Sequence, residues 1–583
     1  MGPIRPLVLL AAACGALAVA RPARPDGHED GASTDDLLSV FRPFYGRGDK
    51  WGKDSQDVPW TDWWYANRRA LIDTSPRARA VSDGAPAPED PRARDRARTA
   101  LLAALASKDP LLSSEAALAL GRAGDVRDIA TLAAIVRDRD VAATRRTHRY
   151  AAIGLGLLPT GDAAQAAEAR STLFGAIASA RGRQGDQSFF WSYCAYSLAM
   201  RGDASVVPDL ATLRRKALAA PDMRTSIYTE ILGAMCYALG ALGGDCALPE
   251  IAEHLGGRRA PDAGSNDTSW SATQALARVG GTGAVTLLLG AAKDERKTVR
   301  AGALQALGAI ADPKDDAVAK VLRDAMAEDR QMDCRRMAAV SLGRIGHTSA
   351  EKALLDALED GTSEVRSFAA MGLGLLVRRQ PNPKLAAVLV KALDRAKADE
   401  AAGSLALACA FAGAVDAGPR LAEIVESGGP TAAPVAAFAL GMLGANETQR
   451  AVLRAAVAQP GLPLKRREAA LALGALRDPA VVDQLRRICS GRTSDRDRAT
   501  AVVCLGRVGT DEDIDFVLAL LADRDTSDPM RACIVQALGW LLDRTNYGRL
   551  ARIAADVKWD KQINGNSLSW SGEALWDVQH LVD

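Results

Sequence analysis

Ten times between residues 121 and 539 an alanine-rich apolar run closes on a leucine followed at once by a glycine. The glycines are Gly121, Gly156, Gly240, Gly308, Gly343, Gly374, Gly441, Gly474, Gly506 and Gly539. The best-preserved neighbours lie 31 to 35 residues apart, and weaker copies near Met200, Ala277 and Phe411 fill the larger gaps, which makes about thirteen units. Self-similarity at this period marks a repeat array, in which each unit buries its apolar face only against its neighbours. Two residues before each glycine the side chain is always small, as at Ala119, Gly154, Ser341 and Cys504. Glycine inside a helix costs about 1 kcal/mol against alanine. Its recurrence at one place predicts that neighbouring helices approach too closely there for a side chain.

Composition agrees with short, closely packed helices. About a fifth of the 583 residues are alanine, only 5% are aromatic, and 48% are hydrophobic, a mixture that disfavours all-β architectures. Lys and Arg number 73 against 71 Asp and Glu, so no global field recruits nucleic acid or an acidic membrane.

A second pattern lies eight residues before the glycine, at Arg300, Arg335, Arg366, Arg466, Arg498 and Arg531. Six residues before four of these stand Asp294, Asp329, Asp360 and Asp525. An acid in one interhelical turn and an arginine opening the next helix predict a structural ladder paired within a unit and with the adjacent unit, since a planar guanidinium serves two carboxylates or carbonyls at once. A phosphate-binding stripe is the alternative, and the matching aspartates would neutralise it.

The Asp and Arg six apart, followed by an alanine-rich helix ending in LG, resemble HEAT repeats. The A-L-G-x-[IL]-G-D endings are similar to the HEAT-like repeats named after phycobilin lyases. The resemblance covers roughly residues 91 to 583. It implies an all-α, right-handed α-solenoid of about thirteen helix pairs, extended as a curved rod, and a role as a protein-interaction scaffold. Partner binding is then expected along the ridge of second helices, where positions such as Gln305, Val340, Met371, Phe438 and Gln536 vary three residues before the glycine.

The chain start reads as an address. Residues 1–20 hold a basic start at Arg5, an apolar stretch from Leu7 and an Ala18-Val19-Ala20 end, the order of a secretory signal peptide. Cys14 after three alanines offers a lipid anchor as an alternative. The expectation is a periplasmic or cell-surface protein. Residues 21–50 read as a polar leader, 51–75 as a Trp-rich cap, 76–90 as a linker, and 91–583 as the solenoid. Trp60, Trp63 and Trp64 would cover the apolar face of the first repeat or form an aromatic platform for a sugar or peptide.

No catalytic motif stands out. The five histidines are scattered, no C-x-x-C pair, H-E-x-x-H, P-loop or G-x-S-x-G occurs, and no cofactor is expected. Most of the eight later cysteines read as small buried hydrophobes. Phe190-Trp191-Ser192, Ser269-Trp270-Ser271 and Ser569-Trp570-Ser571 echo one another before apolar helices and read as helix-entry staples. An enzyme, a nucleic-acid binder of the same repeat class, and a carbohydrate-binding protein remain the other function classes.

Overall fold

The structure, a computed structural model, describes residues 90–138, 145–179, 187–219, 226–256, 269–360 and 362–543. The expected signal peptide, leader, Trp-rich cap and linker, with Cys14, Trp60, Trp63 and Trp64, lie outside the described residues, as do residues 544–583. Among the described residues the chain is all-helical, with α-helices, short 3-10 turns and no strand.

The helices alternate between two kinds. The first of each pair is an outer helix: α1 (Pro91–Leu105), α3 (Ile129–Arg137), α5 (Ala163–Ala178), α7 (Val207–Ala219), α9 (Leu248–Gly256), α11 (Gly281–Ala291), α13 (Asp316–Glu328), α15 (Ala350–Asp360), α17 (Pro383–Arg395), α19 (Gly418–Ser427), α21 (Glu447–Ala458), α23 (Ala480–Ser490) and α25 (Ile514–Ala522). The second is an inner helix: α2 (Pro110–Ala123), α4 (Arg145–Leu157), α6 (Gln187–Met200), α8 (Ser226–Gly243), α10 (Ser269–Val279), α12 (Lys297–Ile310), α14 (Met332–Ile345), α16 (Ser363–Arg379), α18 (Asp399–Ala412), α20 (Ala432–Leu443), α22 (Pro463–Ala475), α24 (Asp495–Val508) and α26 (Asp528–Leu542).

Sequence explains the difference. In α17, Asn382 caps the start by accepting the N–H groups of Lys384 and Leu385, proline fills the first position, and only the Leu385, Leu389, Leu393 stripe is buried. The inner helices are apolar almost all round: every described residue from Leu111 to Arg122 in α2, and the whole of α20, is buried. Several inner helices end where a second glycine takes a left-handed conformation, as at Gly124 (φ 71°), Gly346 (φ 72°) and Gly444 (φ 81°). Ile231–Leu255 is long and apolar enough to cross a membrane, but it runs through α8 and α9 and is largely packed inside the protein.

Each inner helix packs against the inner helix of the next unit, from α2 against α4 through to α24 against α26. The array does not stop there. α26 packs against α2 in the same way, and α25 touches α1, so the solenoid closes on itself as a ring of thirteen units. The expected rod with two free ends is therefore replaced by a circle. Polar contacts tie the seam: the Asp90 N–H donates to Asp511 Oδ2 at 2.9 Å, Arg94 Nη2 donates to the Leu542 carbonyl at 2.8 Å, and Arg96 Nη2 reaches both oxygens of Asp515 at 2.7 and 2.8 Å.

The glycine row sits where helices touch. A Cβ on Gly506 would stand 2.7 Å from the Ala537 Cα, and one on Gly441 would stand 2.8 Å from the Ala472 Cβ. Gly121 meets Gly154, Gly308 meets Ser341 and Gly343 meets Gly372 in the same manner. In each case the glycine of one unit receives the small residue of the next. Across the seam the pairing recurs in register: a Cβ on Gly539 would stand 2.8 Å from the Ala119 Cα and Cβ. Closure thus uses the same glycine contact that joins these units within the array.

Candidate functional site

The arginine row lies at the junction between outer and inner helices. Nine residues before three of these arginines is a carbonyl in the last turn of the preceding outer helix, one of the acceptors that a helix end leaves unpaired. Arg335 Nε donates to Met326 at 2.9 Å, Arg466 Nε to Val457 at 2.8 Å and Arg498 Nε to Cys489 at 3.0 Å. Arg300 instead donates to the Asp294 and Glu295 carbonyls at 2.8 and 2.9 Å. The first three fasten an outer helix to its inner partner, and Arg300 fastens the turn between the two.

Two of the arginines also reach the next unit. Arg300 forms a fork with Asp329 at 2.9 and 3.1 Å, and Arg466 Nη1 meets Asp497. The pairing is therefore between units rather than with the acid six residues earlier. Asp294 pairs with Arg296 and accepts its N–H at 2.8 Å, and Asp329 accepts the Gln331 N–H at 2.8 Å, so these acids close the turn before the inner helix. Asp525 is exposed, and its own N–H donates to Asp523, which takes over the turn. Arg531 meets Asp528 at 3.5 Å and Arg366 is exposed.

Charge follows this geometry. Arg296, as a hydrogen-bond donor, holds the Asp294 carboxyl below the usual carboxylate range. At Asp329 burial alone pushes the carboxyl up, but the Arg300 fork and the Gln331 N–H outweigh it and bring it below the ordinary value. Burial pushes the Cys236 and Cys409 thiols up to about 12. Among the described residues no group of three or more His, Cys, Asp or Glu is placed to hold a metal ion.

The expected ridge of second helices is not an open surface. Gln305 is 8% exposed, Met371 0% and Phe438 2%, while Gln536 is half-buried. In a closed ring these helices are the inner layer, held between neighbours on both sides and backed by outer helices. Most of the surface left to solvent is that of the outer helices, the turns and the ends of the inner helices.

Sequence comparison gives the pattern its family. The profile for HEAT repeats matches residues 258–340, 319–410 and 450–539. These stretches are HEAT repeats. Among solved structures, the chain is similar to the CpcE–CpcF complex of phycocyanin lyase from Nostoc sp. PCC7120, at 22% identity over 44% of this chain and 94% of that one, with a TM-score of 0.29. It is similar to human deoxyhypusine hydroxylase in complex with glycerol, at 24% identity over 46% and 97%, with a TM-score of 0.23. It is also similar to Kap121p, at 14% identity over 77% and 57%, with a TM-score of 0.31. No curated protein matches by sequence.

The helix pairs carry a second ladder that sequence reading missed. Arg98 of α1 forks onto Asp128 at 3.0 and 2.5 Å, Arg454 of α21 onto Asp478 at 3.1 and 2.5 Å, and Arg486 of α23 onto Asp513 at 2.8 and 2.6 Å. Each acid stands at the start of the next outer helix. One visible signal was the aspartate that ends the unit motif, as at Asp478, taken only as a mark of the repeat; Asp128 and Asp513 stand a few residues beyond it. The position after the helix glycine was also missed. There Trp540 lies between Arg507, 4.7 Å from its ring, and Arg122, 3.7 Å away across the seam. Arg122 also meets Asp543 at 3.4 Å. Phe190-Trp191-Ser192 lies inside α6 with Trp191 and Ser192 buried, so this echo is core packing rather than a helix entry.

Proposed function

We propose that the chain is an exported protein-interaction scaffold, acting in the periplasm or at the cell surface, whose partner docks on the outer circumference of the HEAT-repeat ring. Burial of the inner helices is the observation that carries this reading: Met371 and Phe438 cannot meet a partner without opening the packing. The outer helices spend one stripe on the core and leave their remaining positions free to vary. Val388 on α17 is 41% exposed and Val415, in the turn leading to α19, is 52% exposed. α17 packs against that turn, so two neighbouring units present large apolar side chains on one stretch of the rim. Exposed apolar side chains in contiguous positions mark interaction sites more often than solvated ones do.

Export rests on the order of residues 1–20, and mass measurement of the mature N-terminus tests it. A photo-crosslinking residue at Val388 or Val415 should give a discrete adduct in the native envelope, while one at Lys320, exposed on the outer helix α13, should not. Equal labelling at all three positions, or turnover of a small molecule by the purified chain, would remove this reading.

A further inference from the structure

Neighbours and outer helices cover three sides of each inner helix, and the fourth side faces the ring axis. The glycine row looks towards the next inner helix, as where Gly343 meets Gly372. The small residue two before a glycine looks back, as Gly372 does towards Ala339 and Leu354 of the outer helix α15. The leucine between them lies on the outer-helix side. A helix turns about 100° per residue, so the residue three before the glycine stands roughly opposite that leucine, towards the axis. On this face Tyr196 of α6 and Tyr237 of α8 meet with ring centroids 5.4 Å apart. The residue after the glycine shares the face, and there Trp540 lies between Arg507 and Arg122.

A circle of thirteen inner helices spaced by about 8–10 Å encloses an axial opening of about 20–30 Å, ample for water. Among the described residues no inner helix packs against any inner helix but its two neighbours. Yet Ile153, Met371 and Leu471, each three residues before the glycine, are 0% exposed, Val503 is 1% and Val340 3%. Side chains on the wall of a wet opening would not be dry, so this wall needs an occupant.

We propose that the Trp-rich segment, residues 51–75, occupies the axial opening of the ring. Its chemistry fits the wall. It holds Trp51, Trp60, Trp63, Trp64 and Tyr65, and from Val58 to Asn67 its only charge is Asp62. Residues 544–583 spread Tyr547, Trp559, Trp570 and Trp576 over a longer and more charged stretch. Arginines on the wall already stack on an aromatic ring, Arg122 and Arg507 at 3.7 and 4.7 Å from Trp540, and the segment offers four more indoles. Ring closure also removes the task of capping the first repeat, since α26 covers it. The described chain begins at the seam, where the Asp90 N–H meets Asp511. Residues 76–90 can extend to about 50 Å, more than the distance of about 30 Å from the outer layer to the axis. Two passes of the segment, each about 10–12 Å wide if helical, span the opening. The occupant lies inside the ring, so this does not depend on partner docking on the outer circumference.

Cross-linking within the full chain tests this. Trp63→p-benzoylphenylalanine should, on irradiation, join to inner helices on several sides of the ring, α12 to α20 among them, as read by peptide mass mapping. Adducts confined to α1 and α2 would restore the cap on the first repeat. Adducts only with other molecules would leave the segment outside as an aromatic platform, and inner-helix adducts from a probe at Trp570 but not at Trp63 would make residues 544–583 the occupant. Each of these three results overturns the proposal. Thiol access gives a second readout. In a chain with Cys246→Ser, Met371→Cys should react with iodoacetamide at least about tenfold faster once Trp60, Trp63 and Trp64 are replaced by serine, while Lys320→Cys on α13 keeps its rate. Val340→Cys provides the same readout should Met371→Cys not fold, and an unchanged rate at both positions would contradict an occupied axis held by these tryptophans.

Discussion

Glycines inside helices separate two physical roles in this chain. Gly343 lies against the Gly372 backbone, so a methyl group there must displace a neighbouring helix. Gly290, within α11, has nothing within 4 Å of its Cβ position. We expect Gly343→Ala to destabilise by about 1–3 kcal/mol through overpacking, despite the better helix propensity of alanine. Gly290→Ala should instead stabilise by about 0.5–1 kcal/mol. Urea unfolding of both variants checks the contrast, and equal signs would refute the close-approach reading. The cysteines divide just as sharply. Cys246 is exposed and the other seven described cysteines are buried. A thiol reagent should modify Cys246 in the native protein and reach those seven only on unfolding, a difference read by peptide mass mapping. The close-approach role of the glycines was legible because one small residue recurred at one register. The thiol burial was legible for the same reason, since Cys504 occupies a small position in the pattern.

Between elements, the arginine and aspartate rows were visible, with pairing expected both within a unit and with the adjacent one, but which of the two would hold was not. Spacing along the chain placed Asp294 before Arg300, and packing turned the Arg300 side chain towards the Asp329 carboxylate in the next unit. Sequence period records which residues repeat, and cross-unit contacts depend on the angle at which units stack. The Arg300–Asp329 fork makes a pH prediction. The native Asp329 carboxyl lies below its ordinary value, so the unfolded chain binds the proton first as pH falls. The stabilisation is then full above the unfolded pKa of about 3.9 and fades as pH drops through the lower native value. Asp329→Asn should cost about 1–3 kcal/mol near neutrality and flatten the loss of stability below pH 5 or so. Denaturation midpoints at a series of pH values measure it, and a variant with the slope of wild type would contradict the assignment. Arg466→Ala should cost more than Arg531→Ala, because Arg466 is buried with its carbonyl and carboxylate partners whereas Arg531 lies partly in solvent.

At the scale of the whole molecule the described helices form a circle, and this was the part least legible beforehand. Closure is the sum of thirteen small rotations between units, and no single residue encodes it. The ends did carry a signal. An open array needs terminal units with an altered, polar outer face. Ala119, Leu120 and Gly121 in the first unit and Ala537, Leu538 and Gly539 in the last instead keep the interior pattern. Each end is therefore built to be covered by a repeat, and the other end supplies it. Arg96 and Asp515 are both exposed and meet across the seam, which makes them suitable labelling positions. Spin labels on Arg96→Cys and Asp515→Cys, in a chain with Cys246 replaced by serine, would report the separation of the first and last units directly. A closed ring predicts one short distance, within about 20–25 Å once the label arms are included, whereas an open rod of thirteen stacked helix pairs would place the labels of the order of 100 Å apart.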